Sequence, residues 1–190
     1  MKDLFIKYYK KYLEESEFID LENKEKFEKT KRIKFGSFAE KFIYNDLKKR
    51  NIDIKSTRES SKYSKLTDLK YGDLYLVKSK TYLDVKLGRG ISKASLDKFV
   101  GDGYILAVGV PPTGGNVSLD KFWYIDRKVL QNIYNTIEYN KEPLYHRDAK
   151  LEKKIITYAK LPSGEPGFYF NLSLIPQKQK YINWVKQFEN

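Results

Sequence analysis

Two aspartates and a lysine fall within a short stretch of this chain at a spacing suited to chemistry on a phosphodiester. Gly72-Asp73 opens one strand-like run, and Asp84-Val85-Lys86 closes the next. Alternate residues of a strand share a face, so Asp84 and Lys86 point one way while Leu83, Val85 and Leu87 point the other. With the turn centred between Ser79 and Lys80, a two- or four-residue loop sets Asp73 across from Lys86 and Tyr75 across from Asp84. Asp73 then lies diagonal to Asp84, roughly 7–8 Å away between backbones, and both carboxylates can reach toward one ion. Leu74, Leu76, Leu83, Val85 and Leu87 form an apolar back that fixes the register without reference to chemistry. A three-residue loop would break the parity, and the turn has no glycine to decide between the two.

Mg²⁺ takes one or two carboxylates and completes its octahedron with waters and substrate phosphate oxygens. Beside such an ion, Lys86 could orient or deprotonate the attacking water, or neutralise charge on a pentavalent phosphorus. Two acids on one face repel, so a metal-free site should contain a carboxylate of raised pKa. Asp-x-Lys alone is common, and on a surface hairpin the pair contributes under about 1 kcal/mol. The upstream Gly-Asp and the apolar back set this hairpin apart.

The elements that must hold these residues follow from the rest of the chain. Its 190 residues suit one domain with a real core, and 41% hydrophobic with 33% charged residues is a globular balance. A formal charge of +12 predicts attraction to a polyanion, nucleic acid or an acidic membrane surface. Zero cysteines exclude disulfides, thiolate zinc sites and iron–sulfur clusters. The first residues turn polar before a signal-peptide core could form, and no long apolar run follows. The expectation is an intracellular, cytoplasmic protein with no membrane partner.

Apolar spacing predicts a helix over 2–15, and the charged stretch 22–34 reads as a second, solvated one. Gly36-Ser37 opens a stronger helix to about Arg50, with Ser37 as N-cap and Glu40 as its capping-box partner. A short strand over 51–58, a polar loop over 59–70 and the hairpin over 72–88 come next. Ser92–Val100 reads as a short helix with Leu96, Phe99 and Val100 apolar. Tyr104–Val110 reads as a strand covered on both faces. Strand, helix and buried strand suggest a right-handed crossover in a mixed sheet. Beyond the Pro111–Gly115 break come a strand at 117–125 and a helix from Asp126 to Tyr139. A second hairpin, 154–160 with 168–175, and a closing helix complete the chain.

These motifs resemble the PD-(D/E)XK nuclease superfamily. Gly72-Asp73 stands where Pro-Asp often does, Asp84-Val85-Lys86 matches the second element, and Glu40 is placed as the upstream helix acid. The layout of Gly36-Ser37-Phe38-Ala39-Glu40, Arg58, Ser60 or Ser61, Asp73 and Asp84-Val85-Lys86 is similar to archaeal-type Holliday-junction resolvases. The likeness covers residues 34–110. The Arg-to-Ser spacing departs from the resolvase pattern, and the stretch after Val110 has no counterpart in the minimal resolvase.

The resemblance implies an α/β fold, a central mixed sheet flanked by helices in a restriction-endonuclease-like core, followed by a C-terminal α+β extension. It implies a Mg²⁺-dependent DNA endonuclease, with Mn²⁺ able to substitute, leaving a 5′-phosphate. Asp73 and Asp84 would be metal ligands with the Val85 carbonyl, Glu40 an accessory acid, and Lys86 the catalytic lysine. Two copies could pair, as resolvases do. Arg58, Lys62, Lys65, Arg89, Lys93 and Lys98 surround the motif and suit phosphate contacts, which would make binding salt-dependent.

The alternative is a non-catalytic basic DNA-binding protein that keeps the fold. Clustered acids discriminate between the two, because a pure polyanion binder gains nothing from them. Gly88-Arg89-Gly90 lacks the third glycine of a dinucleotide fingerprint and reads as a turn. His146, the one histidine, excludes a paired-histidine mechanism. Asp68 is a rival first acid outside the hairpin register, and Tyr63 and Tyr71 are candidates for stacking on bases.

Overall fold

In the computed structural model, which describes residues 39–57, 71–110, 118–137 and 142–189, helix α1 occupies residues 39–49. Ala39, Ile43 and Leu47 recur every four residues and are fully buried, so one stripe of α1 carries its packing. The helix stops at Asn51, whose φ of 59° is a left-handed conformation that asparagine tolerates better than most residues. The Ile52 N–H then donates back to the Leu47 carbonyl at 3.1 Å. Arg50 secures this end through Asp46, at 2.8 Å, and through Glu189.

Strands β1 (Ile54–Ser56), β2 (Leu74–Leu76) and β3 (Thr81–Leu87) form an antiparallel meander. Residues 77–80 make the β2–β3 turn, with Lys80 at φ 54°. After β3, Gly88 turns the chain with φ +94° into β4 (Gly90–Ser92), and helix α2 (Lys93–Lys98) follows. Ser92 caps α2 by accepting the Ser95 N–H. Strand β5 (Gly103–Val110) returns parallel to β3, and β6 (Ser118–Asp126) pairs antiparallel with β5. The five-stranded sheet therefore runs β1-β2-β3-β5-β6. Asp126 ends β6 and caps helix α3 (Arg127–Thr136), accepting from the Lys128 and Val129 N–H groups.

A second sheet of order β4-β9-β8-β7 uses β7 (Leu144–Tyr145), β8 (Ile156–Lys160) and β9 (Pro166–Phe170). The four-residue helix α4 (His146–Ala149) lies between β7 and β8. Helix α5 (Tyr181–Val185), bounded by 3₁₀ turns, closes the chain.

Alternation along the strands sorts two cores. On one face of the five-stranded sheet, Leu74, Leu76, Leu83, Ile105 and Ala107 pack with the α1 stripe and with Tyr181, Trp184 and Val185 of α5. On the other, Tyr104, Leu106, Val108 and Trp123 pack with Leu96 of α2, Leu130 of α3, and Phe168 and Phe170 of β9. Buried on both faces, β5 is the continuous apolar run expected of such a strand.

The mixed sheet flanked by helices agrees with the sequence expectation. Several details differ. Val100 is 41% exposed, because the chain leaves helical geometry at Phe99. Gly90–Ser92 is a strand of the second sheet, too short to show an alternation. Strand β9 runs Pro166–Phe170 in place of 168–175: the turn before it is tight, with the Leu161 N–H donating to the Glu165 carbonyl at 2.8 Å, and after Phe170 the chain turns, with the Leu174 N–H donating to the Asn171 carbonyl at 3.0 Å. The expected helices at 2–15 and 22–34, the Ser37 cap and the 59–70 loop lie outside the described residues. Among the described residues no helix is long and apolar enough to cross a membrane.

Candidate functional site

Gly72 has φ +87°, and a Cβ there would lie 2.4 Å from the Leu83 carbonyl oxygen. Only glycine lets the chain enter β2 this close to β3, which accounts for the Gly-Asp pair. Thr57 fixes the same corner from β1: its hydroxyl donates to the Gly72 carbonyl at 2.7 Å, and its N–H donates to the Asp73 carbonyl at 3.1 Å.

The hairpin register pairs Leu74 with Leu83, Tyr75 with Tyr82 and Leu76 with Thr81. One step further, Asp73 stands directly opposite Asp84. The diagonal arrangement expected from the sequence is corrected, because the turn centres between Lys78 and Ser79, one residue earlier than expected. That displacement shifts the pairing by two residues, so it preserves parity and every residue keeps its face. The apolar back is as expected: Leu74, Leu76 and Leu83 are buried, and Val85 and Leu87 pack partly against the same core.

On the opposite face both aspartates are 8% exposed. The Val85 N–H lies 3.5 Å from Asp73 Oδ2, the long limit of a hydrogen bond, and Lys86 Nζ lies 2.7 Å from Asp84 Oδ2. Burial pushes the Asp84 carboxyl up to about 7. Lys86 opposes that rise, while the charge and hydrogen bond of Asp73 add to it. A buried carboxyl that holds a proton near neutrality, against a second carboxyl, lacks positive charge even with its lysine.

Two hard oxygen donors in that condition suit a hard divalent cation such as Mg²⁺, which needs only one or two carboxylates from a protein. Val85, between Asp84 and Lys86, is the backbone position nearest in sequence to both. Among the described residues no three acidic, histidine or cysteine side chains come together in a metal-holding group. Glu40, expected as an accessory acid, lies half-buried on α1, whose packing stripe lies against the sheet face opposite to Asp84 and Lys86.

The expected phosphate-binding cations divide into three groups. Arg89 and Lys98 are exposed. Lys93 pairs with Asp97 at 2.9 Å and lies 5.2 Å from the centre of the Tyr134 ring. Arg58, Lys62 and Lys65, like Asp68 and Tyr63, lie outside the described residues. His146 opens α4, between β7 and β8 of the second sheet.

Sequence reading missed Tyr104. It pairs with Asp84 in the parallel β3–β5 register, is wholly buried, and its hydroxyl has no hydrogen-bond partner. Burial and the Asp84 charge raise its pKa, with Arg127 opposing, so it remains a protonated donor beside the acids. Arg127 Nε is likewise buried without a partner. The available signal was a polar-tipped residue opening the apolar β5 run.

No family model, curated protein or solved structure matches this chain, so what the site can do is read from its geometry.

Proposed function

We propose that the protein is a Mg²⁺-dependent DNA endonuclease of the PD-(D/E)XK type. The observation that carries this reading is the buried Asp73–Asp84 pair with Lys86 Nζ 2.7 Å from Asp84. Burying two like charges together is costly unless a cation shares them. The mixed sheet with helices on both faces agrees with a restriction-endonuclease-like core. The charge of +12 suits a polyanionic substrate.

Asp73 and Asp84 would hold Mg²⁺, or Mn²⁺ in its place, with help from the Val85 carbonyl. The bound ion supplies Lewis-acid polarisation of a phosphate oxygen and a water of lowered pKa. Asp84 must give up its proton to serve as a ligand, and the Lys86 ammonium favours that ionised form. Lys86 can also orient the attacking water or offset charge building on phosphorus. Tyr104, paired with Asp84 in the β3–β5 register, keeps a protonated, unpartnered hydroxyl in the buried row beside that carboxylate. Hydrolysis of this type leaves a 5′-phosphate. The motif layout is similar to that of junction resolvases, which favours a structure-specific DNA substrate and two copies of the chain acting together.

The test is incubation with linear, supercoiled and four-way-junction DNA, with Mg²⁺, Mn²⁺ or EDTA, alongside Asp84→Asn and Lys86→Ala. Metal-dependent cleavage lost in both variants is expected. Binding without cleavage on every substrate would instead favour a DNA-binding protein that kept the fold.

A further inference from the structure

Three tyrosines stand on the acid face of the hairpin, next to the aspartates. Tyr75 and Tyr82 are direct cross-strand partners with ring centroids 4.4 Å apart, and the Tyr71 ring lies 5.1 Å from that of Tyr82. All three are half-buried, and none belongs to the hydrophobic clusters or to the half-buried residues packed against them. They form a separate aromatic ledge, partly open to solvent. Lys55, exposed on β1, pairs with Tyr75 in register and so shares this face.

The ledge and the acids are successive rows of one sheet. Lys55, Tyr75 and Tyr82 make one row, and Thr57, Asp73, Asp84 and Tyr104 make the next. Same-face neighbours two residues apart on a strand are separated by about 7 Å. That is about the step from one nucleotide to the next in an extended single strand. The Tyr82 backbone is also anchored on its other side, where its N–H donates to Asp102 Oδ2 at 2.7 Å and its carbonyl accepts the Asp102 N–H at 2.8 Å.

We infer that Tyr71, Tyr75 and Tyr82 form a base-stacking ledge that selects DNA with unpaired nucleotides beside the cut. An unpaired base laid on Tyr82 and Tyr75 brings the adjoining phosphate over the Asp73–Asp84 row, and Lys55 takes the next phosphate out. Bases inside a duplex are already stacked on one another and cannot use the rings. This rests on the nuclease reading for the word "cut", but the ledge can be tested without cleavage.

The experiment is fluorescence anisotropy in EDTA, at one fixed ionic strength, with a labelled single-stranded oligonucleotide and its duplex. The proteins are wild type, Tyr82→Leu, Tyr75→Leu and Tyr82→Phe, with thermal melts confirming that each is folded. Wild type should prefer the single strand by about tenfold or more, the range that one or two stacked bases provide. Tyr82→Leu and Tyr75→Leu should each lower single-strand affinity at least about fivefold while leaving duplex affinity unchanged, and Tyr82→Phe should keep the preference. Equal affinity of wild type for both forms overturns the inference. So does a preference that survives both leucine variants. Loss of cleavage in Asp84→Asn with the binding preference intact would support ledge and nuclease separately, and a ledge that binds in a protein that never cuts would overturn only the nuclease reading.

Discussion

Asp73 and Asp84 face one another across the β2–β3 ladder, each 8% exposed, in a corner where Gly72 passes too close to Leu83 for any side chain. The close approach forces the two carboxylates together, and burial withholds the water that would otherwise screen them. Lys86 compensates for one of the two charges. The remaining deficit sets the chemistry of the site and the following expectations.

Stability of the metal-free protein should fall as pH rises through the acidic range. Asp84 is pushed up to about 7 by burial, with Lys86 opposing and Asp73 adding, against an ordinary aspartate near about 4. A carboxyl whose pKa is higher in the folded state binds its proton more tightly there. Its stabilisation is present below about pH 4, declines up to about pH 7 and is gone above that. The amplitude is on the order of 4 kcal/mol. Thermal melts in EDTA should show this decline, and Asp84→Asn should flatten it and melt higher than wild type at about pH 8.

Divalent metal should reverse that slope. A cation that binds the ionised pair only in the folded state stabilises it by about 2.7 kcal/mol at a hundredfold excess over its Kd. Mg²⁺ or Mn²⁺ should therefore raise the melting temperature more at about pH 8 than at about pH 5, because protons compete at the lower pH. Asp73→Asn or Asp84→Asn should abolish the increase. Lys86→Ala should move the half-point of metal-induced stabilisation to higher pH, because it removes the cation that favours ionised Asp84.

Gly72→Ala should be disproportionately harmful for a single methyl. The new Cβ would lie 2.4 Å from the Leu83 oxygen at φ +87°. Backbone must move or strain must be stored, at a cost of about 2 kcal/mol or more. Urea denaturation measures the loss, and metal-induced stabilisation should weaken with it, because Asp73 moves when Gly72 does.

Trp184→Ala should cost about 3–5 kcal/mol although it is far from the acids in sequence. Trp184 stacks on Tyr124 at 4.5 Å with an interplanar angle of 14° and meets the Phe188 ring at 4.9 Å. It belongs to the core under the apolar back of the site hairpin. The measurement is the denaturation midpoint, and the variant should remain metal-responsive at temperatures where it is folded.

Period-two alternation made the site face legible before any coordinates. Leu74, Leu76 and Leu83 could only be one wall, which put Asp73, Asp84 and Lys86 on the other. Register was not legible to that accuracy, because Val77-Lys78-Ser79-Lys80 has no glycine or asparagine to declare its turn, and Lys80 takes the left-handed position instead. Glu40 shows the limit of helical spacing as a guide. Its place beside Ala39 and near Ile43 was readable, but which sheet face α1 would cover was not. The β8–β9 hairpin was legible, but its extension into a second sheet through β4 was not, because β4 is three residues long and its partner β9 lies far along the chain. Tyr104 was hidden by its own hydrophobicity, since a tyrosine in an apolar strand reads as core until a carboxylate is found next to it.

The most direct measurement is cleavage of DNA by wild type and Asp84→Asn under matched conditions with Mg²⁺ and with EDTA, each variant checked for folding. The expected result is cleavage by wild type in Mg²⁺ only, leaving 5′-phosphate ends, and a loss of at least about a hundredfold in Asp84→Asn. Cleavage that persists in EDTA, or that Asp84→Asn leaves unchanged, would contradict a metal site built on Asp73 and Asp84.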